Sequence, residues 1–488
     1  MSGVILAVLS AFLLSLSFSS FNLGIFAWVA FIPLLVALEK KSFLKSLAIS
    51  YLWGVIFWSF TIYWLIHVTL LGQVILIFVL AFYFGIFGCL VYLFRNLTLK
   101  VYLFFIPSAW VLLEYARSYL FTGFPWAVLG LCQYQNLPLI QFADITGAWG
   151  VSFLVVLVNV MFYACWRKQV KVRILLPGLI ILAVCLIYGY YNLARYSATP
   201  TNKPIKVTVI QGNISQDLKW DPGQIDFILN NYFKLTTESI KNDPQLIIWP
   251  EASVPGIFGE DKLVFEQVFS LARKLNTDLL VGAVSRQHED YFNSALFIDK
   301  LGRPEKIYHK LHLVPFGEYV PLKEVFPFLQ AFAVIGDIAP GKEFTIFTKP
   351  DNFGVLICFE DLFPELSRQY MNQGAKFLVN ITNDAWYKEG SAPYQHFSAS
   401  VLRAVENRTY LARAANTGIS GFVHPTGKIL QVVQDTSNKK IFINGAVSQN
   451  IYPVTKKSFY SIFGDLFILF CLLFDSCVII SILIKRIK

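Results

Sequence analysis

Three side chains that cooperate in nucleophilic chemistry stand well apart along the middle of this 488-residue chain: Glu251, Lys310 and Cys358. Cys358 ends the apolar run GVLI and precedes FEDLFPE, where acidic residues and Pro364 signal the first turn of a helix. A thiol at such a strand-to-helix turn meets unpaired backbone N–H groups, which lower its pKa and stabilise an oxyanion. Most free cysteines are simply buried, so the position alone leaves both readings open. Glu251 follows Trp249 and Pro250 at the end of LIIW. Open α/β sheets place site residues at the carboxyl ends of their strands, and partial desolvation there suits a carboxylate to general-base work. A cap or loop carboxylate is the plainer alternative. The stretch YHKLHLVPFGEYVP, residues 308–321, gathers Lys310, Glu318, His309 and His312. A lysine beside a thiolate offers positive charge to nucleophile and oxyanion alike, whereas most lysines are solvated surface groups. His309 and His312 have no third ligand in view, which argues against a metal site.

Strands must hold these residues, and the texture of the chain supplies them from residue 204 onward. The runs 205–211, 246–249, 279–284, 295–299, 353–358 and 377–382 are apolar and rich in Val, Ile and Leu. Apolar residues near a 3.6 period predict helices over 224–241 and 262–275. Continuously apolar strands separated by helices mean a covered sheet and an α/β class. The segment 197–204, SATPTNKP, reads as the linker ahead of this domain. Of the seven cysteines, Cys358 alone lies in the domain; Cys89, Cys132, Cys165, Cys185, Cys471 and Cys477 fall in or near other apolar segments.

Those other segments belong in lipid. With 56% hydrophobic and 15% charged residues, the whole chain cannot be ordinary soluble domains. A bilayer core of roughly 30 Å needs about 20 apolar residues per helix. Eight segments qualify: 3–20, 23–38, 47–68, 73–94, 101–120, 147–166, 173–193 and 461–484. The net charge of +10 does not mark a nucleic-acid binder, because residues 197–457 hold 26 of 31 acidic and 27 of 41 basic side chains and are nearly balanced. Of the 14 basic residues in the flanks, 12 fall on one side of the predicted spans: Lys40, Lys41, Lys45, Arg95, Lys100, Arg167, Lys168, Lys171, Arg173, Lys485, Arg486 and Lys488. The positive-inside rule makes that side cytoplasmic. Both termini are then cytoplasmic and the large domain lies outside. Glu114 and Arg117, one helical turn apart within a span, are expected to pair near a helix end.

The contexts IIWPEA, YHKLHLVPFGEYVP and GVLICFED resemble the Glu-Lys-Cys triad of the nitrilase superfamily. Joined to the membrane layout and to QGNISQDLKW (211–220) and NITNDAWY (380–387), they resemble the membrane-embedded apolipoprotein N-acyltransferase family across essentially the whole chain. The resemblance implies a seven-span membrane domain over 1–196, a nitrilase-like αββα sandwich over 197–457, and an eighth span with a basic tail over 458–488. It further implies that Cys358 is the nucleophile, Glu251 the general base and Lys310 the stabiliser of the tetrahedral intermediate. Glu318 and Glu360 would be supporting carboxylates, and Trp220 and Trp386 would face substrate. Phe359 departs from a Tyr common at that position in the family. No cofactor and no metal are implied.

The implied reaction moves an acyl chain from a phospholipid onto Cys358 as a thioester. The chain then passes to the α-amino group of an S-diacylglyceryl cysteine at a lipoprotein N-terminus. A thioester keeps the acyl group activated without a nucleotide, and two lipid-anchored substrates explain the membrane spans. The implied location is the inner (plasma) membrane, with membrane lipid around the spans. The same triad also serves a membrane-tethered amidase that releases the acyl group to water. A non-enzymatic assembly scaffold is the third reading, which the complete triad opposes. The segment 385–397, AWYKEGSAPYQHF, mixes aromatic residues with Gly and Pro and is expected to be a mobile loop that admits lipid.

Overall fold

The computed structural model describes residues 3–167, 171–196, 202–219, 221–321 and 338–487. Most of the 197–204 linker and Trp220 therefore lie outside the described residues. The chain divides into two compact units, one of Met1–Ser197 with Phe463–Lys488 and one of Ala198–Ile462.

Among the described residues of the first unit six helices are long and apolar enough to cross a membrane: Phe43–Thr61, Leu70–Leu93, Leu99–Tyr119, Ala148–Trp166, Val172–Arg195 and Leu466–Lys485. The expected count of eight is not met, because the first two segments fold as shorter apolar helices, Gly3–Leu16 and Gly24–Leu38. A helix of 14 residues rises only about 21 Å, short of the roughly 30 Å hydrocarbon core. Serines end it: the hydroxyls of Ser17 and Ser19 bond back to the carbonyls of Leu13 and Leu16, a local bond that competes with further helix.

Small residues let the long helices approach closely. A Cβ on Gly88 would lie 2.1 Å from Ser50 Oγ, and one on Gly54 would lie 2.7 Å from Phe84 Cβ, so Phe43–Thr61 and Leu70–Leu93 pack at a distance that larger side chains forbid. Glu114 and Arg117 are both buried and interact electrostatically, and each also bonds to main-chain groups. Arg117 Nη1 donates to the carbonyls of Phe124 and Trp126, each at 2.6 Å, and Glu114 Oε1 accepts from Leu129 N at 2.7 Å. Together they tie down the turn that follows Leu99–Tyr119.

The second unit holds two sheets. Its strands are β1 Ile205–Gln211, β2 Leu246–Ile248, β3 Ile257–Phe258, β4 Asp278–Gln287, β5 Asp290–Ile298, β6 Pro304–His309, β7 Phe353–Ile357, β8 Phe377–Thr382, β9 Leu411–Ala415, β10 Gly421–Val423, β11 Ile429–Val432 and β12 Gly445–Ile451. One sheet runs β12-β1-β2-β4-β5-β6 with β3 beside β4, and the other runs β11-β10-β9-β8-β7. The central neighbours β1, β2 and β4 are parallel, as are β7, β8 and β9, which is why those strands read as unbroken apolar runs. Hairpins such as β4–β5 are antiparallel.

Helices Ile225–Ser239 and Lys262–Leu275 cover the first sheet. Their buried faces, including Ile228, Tyr232, Phe265 and Val268, share a core with Ile247, Trp249, Leu279 and Val281 from the strands. Leu263, which the helical period includes, is instead exposed. Helices Pro364–Asn372 and Ala392–Asn407 pack on the second sheet. The inner faces meet through rings such as Phe297 and Phe353, 6.4 Å apart. This is the αββα sandwich expected of the domain.

Candidate active site

Three strand ends and one loop bring the predicted residues together. β7 delivers Cys358, whose φ of +54° starts the tight turn Cys358–Leu362. β2 leads through Trp249 and Pro250 to Glu251, followed by Ala252 at φ +44°. That turn lies against β4 at Gly282, where a Cβ would sit 2.3 Å from Pro250 O and 2.6 Å from Glu251 Cα, so only glycine allows the approach. β6 ends immediately before Lys310, whose N–H donates to Asn293 O at 2.8 Å.

The side chains form one hydrogen-bonded cluster. Lys310 Nζ lies 2.8 Å from Glu318 Oε2 and 3.8 Å from Glu251 Oε1. Asn293 Nδ2 donates to Glu251 Oε1 at 2.7 Å and to Glu318 Oε1 at 2.8 Å, and Val314 N donates to Glu318 Oε2 at 2.8 Å. Burial opposes the charge on Lys310, but Glu318 and Glu251 outweigh it and hold the ammonium well above the ordinary lysine range. Glu360 works from the other side. Its carboxylate accepts from Ile357 N and Leu311 N, each at 2.7 Å, from His312 N at 3.1 Å and from Tyr308 Oη at 2.8 Å. It thereby staples the Lys310 loop to the Cys358 turn. Burial raises its pKa to about 7, against the pull of those donors and Lys310.

Cys358 interacts electrostatically with both Glu251 and Lys310. The residue is buried, with 8% of its surface exposed. The thiol does not have the lowered pKa that its turn suggests. Burial and the negative charge of Glu251 push it up, and Lys310 only partly opposes them. With its pKa raised, the group favours the thiol form, and any nucleophilic role needs a base to take its proton.

His309 Nδ1 lies 2.8 Å from Ser294 Oγ, and His312 stacks on Phe363 with ring centroids 3.8 Å apart. Trp386 sits half-buried in the turn Asp384–Tyr387. The expected mobile loop is largely absent, since residues 392–397 form the buried first turns of Ala392–Asn407, started by Pro393. Only 388–391 separate the two elements.

Several further residues at the site are not singled out by the sequence. Lys219 is buried with Nζ 2.9 Å from the carbonyl of Glu251, and burial lowers its pKa to about 8. Asn293 and Tyr308 are ordinary strand residues until the fold places them. Asp361, Asp384, His396 and Arg413 make a buried ion network behind Cys358. Asp361, Asp384, Lys219, Tyr308 and His396 stand inside segments read from the sequence, but nothing in those segments singles them out.

Comparison with known proteins adds the family. Residues 10–161 match the apolipoprotein N-acyltransferase N-terminal domain, and residues 206–449 match the carbon-nitrogen hydrolase family. An apolipoprotein N-acyltransferase of Geobacter metallireducens is 38% identical over 96% of this chain and 92% of its own length. One of Chlorobaculum tepidum is 31% identical over 87% of each. An amidase from Nesterenkonia sp. aligns at 18% identity over 53% of this chain and 95% of its own, with a TM-score of 0.39. The chain therefore belongs to the apolipoprotein N-acyltransferase family, enzymes that join a membrane unit to a carbon-nitrogen hydrolase domain.

Proposed function

We propose that this chain transfers an acyl chain from a phospholipid to the N-terminal amine of a diacylated lipoprotein through a thioester on Cys358. The observation that carries this reading is the placement of Lys310, clamped by Glu318 at 2.8 Å and by Glu251 at 3.8 Å, within electrostatic reach of the Cys358 thiol. One carboxylate near the thiol serves as base, and one fixed cation serves the oxyanion.

In the first half, Glu251 takes the Sγ proton and sulfur attacks the ester carbonyl carbon. The C–S bond forms, and the negative oxygen is stabilised by Lys310. The C–O bond to glycerol then breaks, and the leaving oxygen takes the proton from Glu251, giving a lysophospholipid. In the second half, the lipoprotein amine attacks the thioester and gives its proton to Glu251. The C–S bond breaks and that proton returns to sulfur. Glu318 and Asn293 orient Lys310 and Glu251, and Glu360 holds the lysine loop to the nucleophile turn. Trp386, half-buried beside this machinery, and Trp220 are assigned to substrate contact.

The segments 1–196 and 458–488 anchor the enzyme and 197–457 catalyses. The domain is assigned to the outer side of the plasma membrane. Removing the two short helices leaves this orientation unchanged, because an even number is lost. The basic residues around Lys40–Lys45, Arg95–Lys100, Arg167–Arg173 and Lys485 still alternate to one side of the six long helices.

The test incubates the full-length protein with phospholipid vesicles alone, then adds a diacylated lipopeptide. An acyl adduct on Cys358 by mass spectrometry, discharged into N-acylated peptide, is the expected result. Free fatty acid with no acylated peptide would replace transfer by hydrolysis, and an adduct on any other residue would remove Cys358 from the role.

A further inference from the structure

Behind the nucleophile lies a closed set of four buried charges that the chemistry above leaves unused. His396 is 0% exposed. Its Nδ1 lies 2.8 Å from Asp384 Oδ1 and its Nε2 lies 2.9 Å from Asp361 Oδ1. Arg413 closes the circuit, with Nη1 2.9 Å from Asp361 Oδ2 and Nη2 3.4 Å from Asp384 Oδ2. Ionised carboxylates only accept hydrogen bonds, so an imidazole bonded to two of them donates from both nitrogens and is an imidazolium. Two cations then balance two anions, the condition under which charges tolerate burial. Burial and Arg413 press His396 toward its neutral form, and Asp361 and Asp384 outweigh them, holding its pKa up to about 9.

The circuit touches the nucleophile through the backbone. His396 Nε2 is 3.2 Å from the carbonyl oxygen of Cys358, which also receives Asn380 Nδ2 at 3.4 Å. Cys358 has a φ of +54°, a left-handed conformation that costs a residue with a Cβ and persists only where its surroundings hold it. The four members come from four elements: the turn after β7, the turn after β8, helix Ala392–Asn407 and strand β9.

We propose that His396 is a positioning residue, whose imidazolium grips the Cys358 carbonyl to hold the nucleophile's left-handed turn and cancels the carboxylate charge behind the thiol. This role rests on Cys358 being the nucleophile. The charged groups facing His396 are Asp361, Asp384 and Arg413. Those facing the Cys358 thiol are Glu251, Lys310, Asp384 and Lys219. Replacing His396 with a neutral residue therefore leaves an uncompensated anion near the sulfur and opposes its ionisation.

The experiment measures alkylation of Cys358 by chloroacetamide in the full-length protein across pH, resolved from the other six cysteines by peptide mass spectrometry. His396→Gln is expected to slow the reaction about tenfold at pH 7, equivalent to about one pH unit of thiol ionisation. Asp384→Asn combined with His396→Gln restores the charge balance and is expected to return the rate to within about threefold of wild type on the same scale. Wild-type reactivity in His396→Gln, or equal slowing in the single and double variants, overturns the proposal. A measurement on the unaltered protein guards against misfolded variants: histidine-selective ¹⁵N NMR is expected to show His396 as an imidazolium at pH 8, and a neutral ring overturns the proposal. Acyl transfer by Cys358→Ala separates the two readings. If that variant still transfers while alkylation behaves as expected, the nucleophile assignment falls and the grip of His396 on the turn stands.

Discussion

Buried charge is used in opposite ways in the two units. In the membrane unit Arg117 and Glu114 bond to main-chain groups of Phe124, Trp126 and Leu129, so their charge is spent on closing a turn. In the carbon-nitrogen hydrolase domain Lys310, Glu251 and Glu318 face one another, and the distances are unequal: 2.8 Å to Glu318 but 3.8 Å to Glu251. A charge whose hydrogen bonds run to the backbone of one turn is structural. Glu251 is held at 2.7 Å by the Asn293 amide but lies 3.8 Å from its cation, a looser pairing than that of Glu318. The comparison therefore separates charges that can act from charges that only hold.

The largest break falls on the acting side. Cys358→Ser is expected to abolish acyl transfer, because a hydroxyl is a far weaker nucleophile than a thiol deprotonated by the same base. Transfer to lipopeptide at more than about one part in a hundred of the wild-type rate would place the nucleophile elsewhere, given what a missing nucleophile costs. Glu251→Gln keeps the shape and removes the base, and should slow transfer by about 10² to 10⁴. Single-turnover acylation of Cys358 reads this directly, and an unslowed first half would deny Glu251 its role.

The same distinction explains what was legible in the sequence. Glu251, Lys310, Glu318, Cys358 and Glu360 stand inside dense local motifs, and the fold brings all five together. The parallel strands β7 and β8 and the helix Lys262–Leu275 are legible because their pattern is set by burial alone. Helix Ala392–Asn407 is not, because its first turns carry Pro393, Gln395 and Ser398 and are buried around polar partners, which erases the amphipathic period. The first two spans mislead for the converse reason. Apolar composition survives there, while the helix ends at serines that composition does not weigh. The contacts of Asn293 and the raised pKa of the Cys358 thiol depend on neighbours distant in sequence, so no local pattern announces them.

A pH series sharpens the comparison within the domain. The pKa of His396 is about 9 in the folded state against about 6.5 for an unperturbed histidine. The folded state binds the proton more tightly, so this contribution is fully present below about pH 6.5 and is lost as pH rises through about 9, roughly 3 kcal/mol in all. Lys219, depressed to about 8, acts in the opposite sense at higher pH. The quantity to measure is therefore the difference in unfolding free energy between wild type and His396→Gln. It should shrink from pH 6.5 to pH 9.5, and a difference that does not vary with pH would show that His396 is not charged in the folded protein.

The smallest expected effect tests the holding side. Arg117→Met leaves the carbonyls of Phe124 and Trp126 without the donor they share, an unsatisfied burial that costs about 1–3 kcal/mol. The Trp58 ring, 5.0 Å from the guanidinium, also loses its cation. Thermal unfolding should therefore shift down, while chloroacetamide alkylation of Cys358 should stay within about twofold of wild type, since no bond of the Glu251–Lys310–Glu318 cluster involves Arg117. If Cys358 reactivity fell along with stability, the charge that ties down a membrane turn would also be tuning the thiol, and the division between holding and acting charges would not stand.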